Sequence, residues 1–158
     1  MSVLTVVSPD AESLLSCVRQ RCANRRIAGS LGELAAILRE RLPGPAAPVT
    51  LDLFGHSTRD HHLLRLGGVV VDMLNPHVAR FFRRHTDLLH ETGVTAIRLL
   101  GCETAVTEPG RRTVRMLART VRVPVFGTRT PLFKSHSDAE GFKPAYAHLL
   151  AEASELAD

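Results

Sequence analysis

Two apolar runs in this chain stop in the same abrupt way, and that limits what the chain can fold into. Val94 to Leu100 ends on Gly101-Cys102, and Val49 to Phe54 ends on Gly55-His56. Short runs rich in β-branched and aliphatic residues are buried strands. The glycine after each run lets the backbone leave the sheet where a Cβ would crowd the turn. Each run therefore carries a reactive group, a thiol or an imidazole, to the carboxyl edge of a sheet. In open α/β sheets that edge collects ligands and catalytic side chains.

The rest of the chain supplies the alternation such a sheet needs. Val3 to Val7 reads as a first strand, followed by a helix from Pro9 to about Cys22 with Ala11, Leu14, Leu15, Val18 and Cys22 on one face. Arg25 to Ala28 reads as a brief strand. Ser30-Leu31-Gly32-Glu33 matches a capping box that opens a helix, closed before Pro43 to Pro48. Asn75-Pro76 starts a helix that keeps Val78, Phe81, Phe82, Leu88 and Leu89 inward as far as Gly93, with His85 near that face as a core histidine. A helix from Pro109 to about Val121 carries Arg111, Arg115, Arg119 and Arg122 as an outer basic row. Val123 to Phe126 is a further strand, Thr128 to Gly141 is irregular, and Phe142 to Leu156 reads as a closing amphipathic helix. The expected architecture is one α/β domain over residues 1–158, a mainly parallel sheet with helices on both faces.

Composition narrows the function classes. The hydrophobic share of 44% and charged share of 23% are ordinary globular values, and no apolar run has the length of a membrane span. Met1 to Asp10 lacks the pattern of a secretory signal, so a cytoplasmic setting is expected. Cys17, Cys22 and Cys102 show no CxxC spacing, which argues against a disulfide framework or a structural zinc site; Cys17 and Cys22 read as packing residues of the first helix. The net charge of +4 invites a nucleic-acid reading. Tyr146 is the single tyrosine and tryptophan is absent, so a base-stacking platform is not expected, nor is a specific nucleic-acid partner. No phosphate-cradling glycine motif is present.

Leu99-Leu-Gly-Cys-Glu-Thr-Ala105 resembles the cysteine segment of CHAT domains, the bacterial caspase-like domains, and Gly55-His56 resembles their upstream histidine. His56 precedes Cys102 by 46 residues, near the spacing of about 50 between these residues in caspases. Leu63 to Val71 looks like the small hairpin that follows the histidine in such folds. The resemblance spans roughly residues 49–128. It implies a three-layer caspase-like sandwich and a cysteine peptidase that works through a thioester without a cofactor. The chain departs from the family pattern in placing its glycine before the histidine, with Ser57 after it.

A cysteine nucleophile attacks as thiolate, and a nearby imidazole both favours that form and protonates the leaving amine. His56 and Cys102 are the candidate pair. The oxyanion would be met by backbone donors around Gly55, Ser57 and Gly101. A basic substrate side chain would need a carboxylate at its pocket floor, for which Asp60, Asp72 and Asp138 are the candidates. The partner is then a peptide or protein substrate. An alternative is a catalytically inactive caspase-like module that binds a protein partner. A further alternative gathers His56, Asp60, His61 and His62 around a metal ion, but His61 and His62 are adjacent and point apart in a strand, so no metal site is expected.

Overall fold

In β1 (Ser2–Val7), β3 (Val49–Phe54) and β6 (Val94–Leu100), alternate side chains enter one apolar core, while the opposite face carries Thr5, Asp52 and Arg98 and joins a second apolar cluster at Val7, Phe54 and Leu100. The computed structural model describes residues 2–14, 25–42, 47–138 and 140–156. In chain order the other elements are β2 (Arg25–Ile27), α1 (Leu31–Arg39), β4 (Arg65–Leu66) and β5 (Val69–Val70), then α2 (Pro76–Arg84), α3 (Thr86–Glu91) and α4 (Glu108–Val121). β7 (Val125–Thr128), β8 (Ser137–Asp138), β9 (Gly141–Phe142) and β10 (Leu150–Glu152) complete it. The main sheet has the order β10-β7-β6-β3-β1-β2, parallel throughout except for the edge strand β10. This is an α/β fold on a six-stranded, mostly parallel mixed sheet.

The chain leaves β1 for β2 at one edge, then returns past β1 to β3 and continues outward through β6 and β7. Crossovers from β1 and β3 therefore leave in opposite directions, a reversal of strand order that in open α/β sheets marks the place where ligands bind. Leu4, Val6, Leu51, Leu53, Ile97 and Leu99 point to the larger core, together with Leu34 and Leu38 of α1, Val78 and Phe82 of α2, Leu89 of α3 and Val114 and Leu117 of α4. Among the described residues all four α-helices thus lie on one face. On the opposite face Val7, Phe54, Leu100 and Phe142 form a smaller cluster with Leu132 and Leu150.

Local signals placed most elements. Ser30 accepts the Glu33 N–H at 3.1 Å, Asn75 accepts that of His77 at 3.0 Å, and Thr107 accepts that of Gly110 at 3.1 Å, so three helix starts are capped by side chains. Gly67 takes a φ of 57° at the tight β4–β5 turn, where the hairpin was expected.

Three expectations change. The 75–93 helix breaks at His85, whose φ is −103°. Its Nδ1 and its backbone N–H both use the Phe81 carbonyl, and Thr86 Oγ1 donates to Phe82 O at 2.7 Å, bonds that bend the chain there. Residues 142–156 are not a helix. Leu150–Glu152 instead pairs antiparallel with Thr128–Phe126, because the exposed edge of β7 offers ladder partners that outweigh a short amphipathic pattern. The described start of the first expected helix, Pro9–Leu14, is 3₁₀, while Cys17 and Cys22 lie outside the described residues.

Asp52 and Arg98 are register partners on β3 and β6, and sequence reading missed them. Both guanidinium nitrogens Nε and Nη2 lie 2.6 Å from the carboxylate, Asp52 is fully buried, and Phe142 covers the guanidinium at 5.4 Å. Burial pushes the Asp52 carboxyl up, and the Arg98 fork opposes that shift only in part. A carboxyl raised above its unfolded value contributes its stability in full below the unfolded pKa and loses it as pH rises through the folded one. Arg98→Met should therefore cost about 3–5 kcal/mol at pH 7 and less at pH 4, whereas Asp52→Leu with Arg98→Met should be near neutral. Urea unfolding at both pH values checks this; an equal cost at both would refute it.

Candidate active site

Past the end of β3 the backbone is squeezed against the hairpin. A Cβ on Gly55 would lie 2.1 Å from the Arg65 carbonyl, so no other residue fits without displacing main chain. The Gly55 N–H reaches Leu100 O at 3.3 Å, and the His56 carbonyl accepts the Arg65 N–H at 2.9 Å. His56 is half-buried, and its Nε2 lies 3.1 Å from the Asp10 carbonyl. A carbonyl oxygen only accepts, so Nε2 carries the hydrogen, and in the neutral ring Nδ1 keeps its lone pair.

Asp10 is itself tied down. Its carboxylate accepts the Ser8 hydroxyl and pairs with Arg65 at 3.1 Å. The Ser8 hydrogen bond, joined by the Arg65 and His56 charges, holds its carboxyl below the usual range against the opposing effect of burial. Ser8 Oγ also accepts the Gly67 N–H at 2.8 Å, which fastens the hairpin to the end of β1. In the sequence Asp10 reads as a first-turn acidic residue. Only the fold reveals that its carbonyl meets an imidazole 46 residues away.

Cys102 stands in the turn after β6 as a half-buried free thiol. The Leu132 N–H donates to its Sγ at 3.3 Å, and its carbonyl contacts the thiol at 4.0 Å. Ser57 Oγ donates to the Cys102 carbonyl at 2.8 Å, joining the two strand ends. A Cβ on Gly101 would sit 2.6 Å from that hydroxyl. Glu103 takes a φ of 57°, a left-handed conformation uncommon outside glycine. Its N–H reaches Thr130 O at 3.2 Å, and the Ala105 N–H reaches Thr128 O at 2.9 Å. Thr128 Oγ1 donates to Gly101 O at 2.5 Å and accepts the Thr104 N–H at 3.0 Å, while Thr104 Oγ1 donates to Leu99 O at 2.8 Å. Among the described residues nothing accepts the Cys102 N–H.

Gly55, His56, Ser57, Gly101 and Cys102 therefore gather at neighbouring strand ends. The three aspartates sit on separate turns, each already accepting a backbone N–H: Asp60 from His61 at 2.8 Å, Asp72 from Leu74 at 2.9 Å, and Asp138 from Glu140 at 2.8 Å. That hydrogen bond from His61 holds the exposed Asp60 carboxyl below its usual range. Among the described residues no three His, Cys, Asp or Glu side chains assemble as a cation site. His61 serves another purpose, its carbonyl accepting the Thr107 hydroxyl that caps α4. The basic row on α4 is not uniform, since Arg115 donates to Leu156 O at 2.7 Å.

No protein family matches the sequence, and no curated protein shows detectable similarity to it.

The buried threonine pair should govern the turn that carries the thiol. Thr128→Val leaves the Gly101 carbonyl and the Thr104 N–H buried without their partner. At about 1–3 kcal/mol for each of the two unsatisfied groups, the loss should be about 2–6 kcal/mol in urea unfolding. A loss below about 1 kcal/mol would show that the turn holds itself without this pair.

Proposed function

We propose that this chain is a caspase-like cysteine peptidase domain in which His56 and Cys102 form the catalytic dyad. One observation carries the reading. Phe54 and Leu100 are register partners on neighbouring parallel strands, and each is followed by glycine and then by the reactive residue. The resemblance of Leu99–Ala105 to the CHAT cysteine segment, the hairpin after the histidine and the reversal of strand order between β1 and β3 support the same conclusion.

The chemistry then runs with the groups at hand. His56 takes the thiol proton at Nδ1, and the Asp10 carbonyl at Nε2 holds the ring in the tautomer this requires. The Cys102 thiolate attacks the scissile carbonyl, and the Cys102 N–H is the donor for the oxyanion. Collapse breaks the C–N bond, the His56 imidazolium gives its proton to the amine, and a thioester remains. Water, deprotonated by His56, hydrolyses that thioester and restores the thiol. The three-layer caspase-like arrangement belongs to this reading. So do a peptide or protein substrate and a cytoplasmic setting. Among the described residues no helix is long and apolar enough to cross a membrane.

Thiolate chemistry supplies the test. Cys102 should react with iodoacetamide near neutral pH faster than Cys17 or Cys22, as mapped by peptide mass. His56→Ala should slow that labelling, and should lower peptide cleavage by about 10²–10⁴-fold, the usual worth of a general base. Slow Cys102 labelling that is indifferent to His56→Ala would end the dyad proposal and leave a protein-binding module of the same fold as the better account.

A further inference from the structure

Exposed apolar side chains stand on both loops that adjoin the thiol. Val106, four residues past Cys102, is 43% exposed, and Phe133, next to the Leu132 whose N–H meets Sγ, is 62% exposed. The two loops hold each other through the Glu103 N–H and Thr130 O at 3.2 Å. From Phe133 a line of rings leads inward: its centroid lies 5.6 Å from His136, and His136 lies 4.6 Å from Tyr146. Tyr146 and Cys102 pack on the same small apolar cluster, with Leu132, Phe142 and Leu150. Cys102 thus shares its apolar cluster with the inner ring of an aromatic surface that opens to solvent at Phe133.

Two charged residues flank the surface in sequence, Lys134 after Phe133 and Glu103 after Cys102. Asp60, Asp72 and Asp138 each bind a backbone N–H of their own turn. Arg129 is paired with Glu155 at 2.7 Å, and Arg65 with Asp10. The carboxylate nearest in sequence to the thiol is Glu103, set in a left-handed turn. It is the group that would oppose an apolar preference.

We infer that this surface receives an aromatic or large aliphatic side chain on the acyl side of the scissile bond, with Phe133 as a specificity-determining residue. This rests on the peptidase reading above. A peptide carbonyl within reach of Cys102 places the preceding side chain beside the same two loops. Covering Phe133 and Val106 removes apolar area from water, which a charged side chain would not reward. Pocket contacts of this kind discriminate by roughly 10–200-fold between side chains differing by a methylene or so.

The experiment uses the full chain and three peptidyl acyloxymethyl ketones that differ only in the residue at the reactive end: phenylalanine, arginine or aspartate. The Cys102 thiolate displaces the carboxylate and forms a thioether, which intact mass reads as a rate. The phenylalanine probe should label fastest, by roughly tenfold or more. Phe133→Ala should slow that probe by a similar factor while leaving iodoacetamide labelling of Cys102 unchanged. Because Phe133 is exposed, that variant should fold. A faster arginine probe whose advantage disappears in Glu103→Gln would overturn the inference and leave the peptidase intact, as would a faster aspartate probe or an unaffected Phe133→Ala. If none of the three exceeds a matched probe without a peptide, the inference fails together with the peptidase reading.

Discussion

The pairing of β3 with β6 is the constraint on which the rest of the structure depends. A slip of one residue in a sheet turns every side chain to the other face, so the burial of Leu51, Leu53, Ile97 and Leu99 in one core already forbids odd slips. It does not forbid a slip of two. The Asp52–Arg98 fork does, because a shift by two would put the buried carboxylate opposite Ala96 or Leu100 and strand the charge. An ion pair that contributes little net stability thereby has a clear structural effect. It holds Phe54 beside Leu100, and so fixes which residues emerge together at the carboxyl edge.

From that edge onward the positions are set by polar bonds rather than by packing. Ser8, Asp10 and Arg65 join β1 to the hairpin, Ser57 joins the β3 end to the Cys102 carbonyl, and Thr104 with Thr128 anchors the turn on β7. Each of these segments would otherwise be an ordinary loop with several conformations. The left-handed Glu103 shows what the bonds achieve: a backbone state that costs about 1–3 kcal/mol in a non-glycine residue is held by neighbours on both sides. Glycine at 55 and 101 is required for the same reason, since main chain and hydroxyl groups approach too closely for a Cβ.

Sequence reading reached the parts of this that local chemistry decides. Helix caps at Ser30 and Asn75, the glycine-ended strands and the hairpin were legible because a few neighbouring residues determine each. The pairing of residues 54 and 100 was also within reach, since apolar strands in an alternating chain pair in parallel. Elements decided by distant partners were not legible. An amphipathic pattern at 142–156 fits a helix until the free edge of β7 is known, and Arg98 looks like a surface residue until Asp52 is placed opposite it. Asp10 enters the site through a main-chain carbonyl, a group every residue carries and no sequence pattern can flag.

The uneven cover of the sheet explains where chemistry has room to develop. One face is filled by α1 to α4, whose regular packing leaves their side chains committed to the core. Over the other face the described residues from Thr130 to Leu149 form a loop, short hairpin strands and 3₁₀ turns. Such segments bury less of themselves and can change residues at modest cost to the fold. Cys102 lies where the two regimes meet: its turn is anchored by buried threonines on the sheet, and its sulfur faces Leu132 of the irregular chain. A thiol held rigidly from behind and bordered in front by a segment free to vary can keep its geometry while its surroundings change.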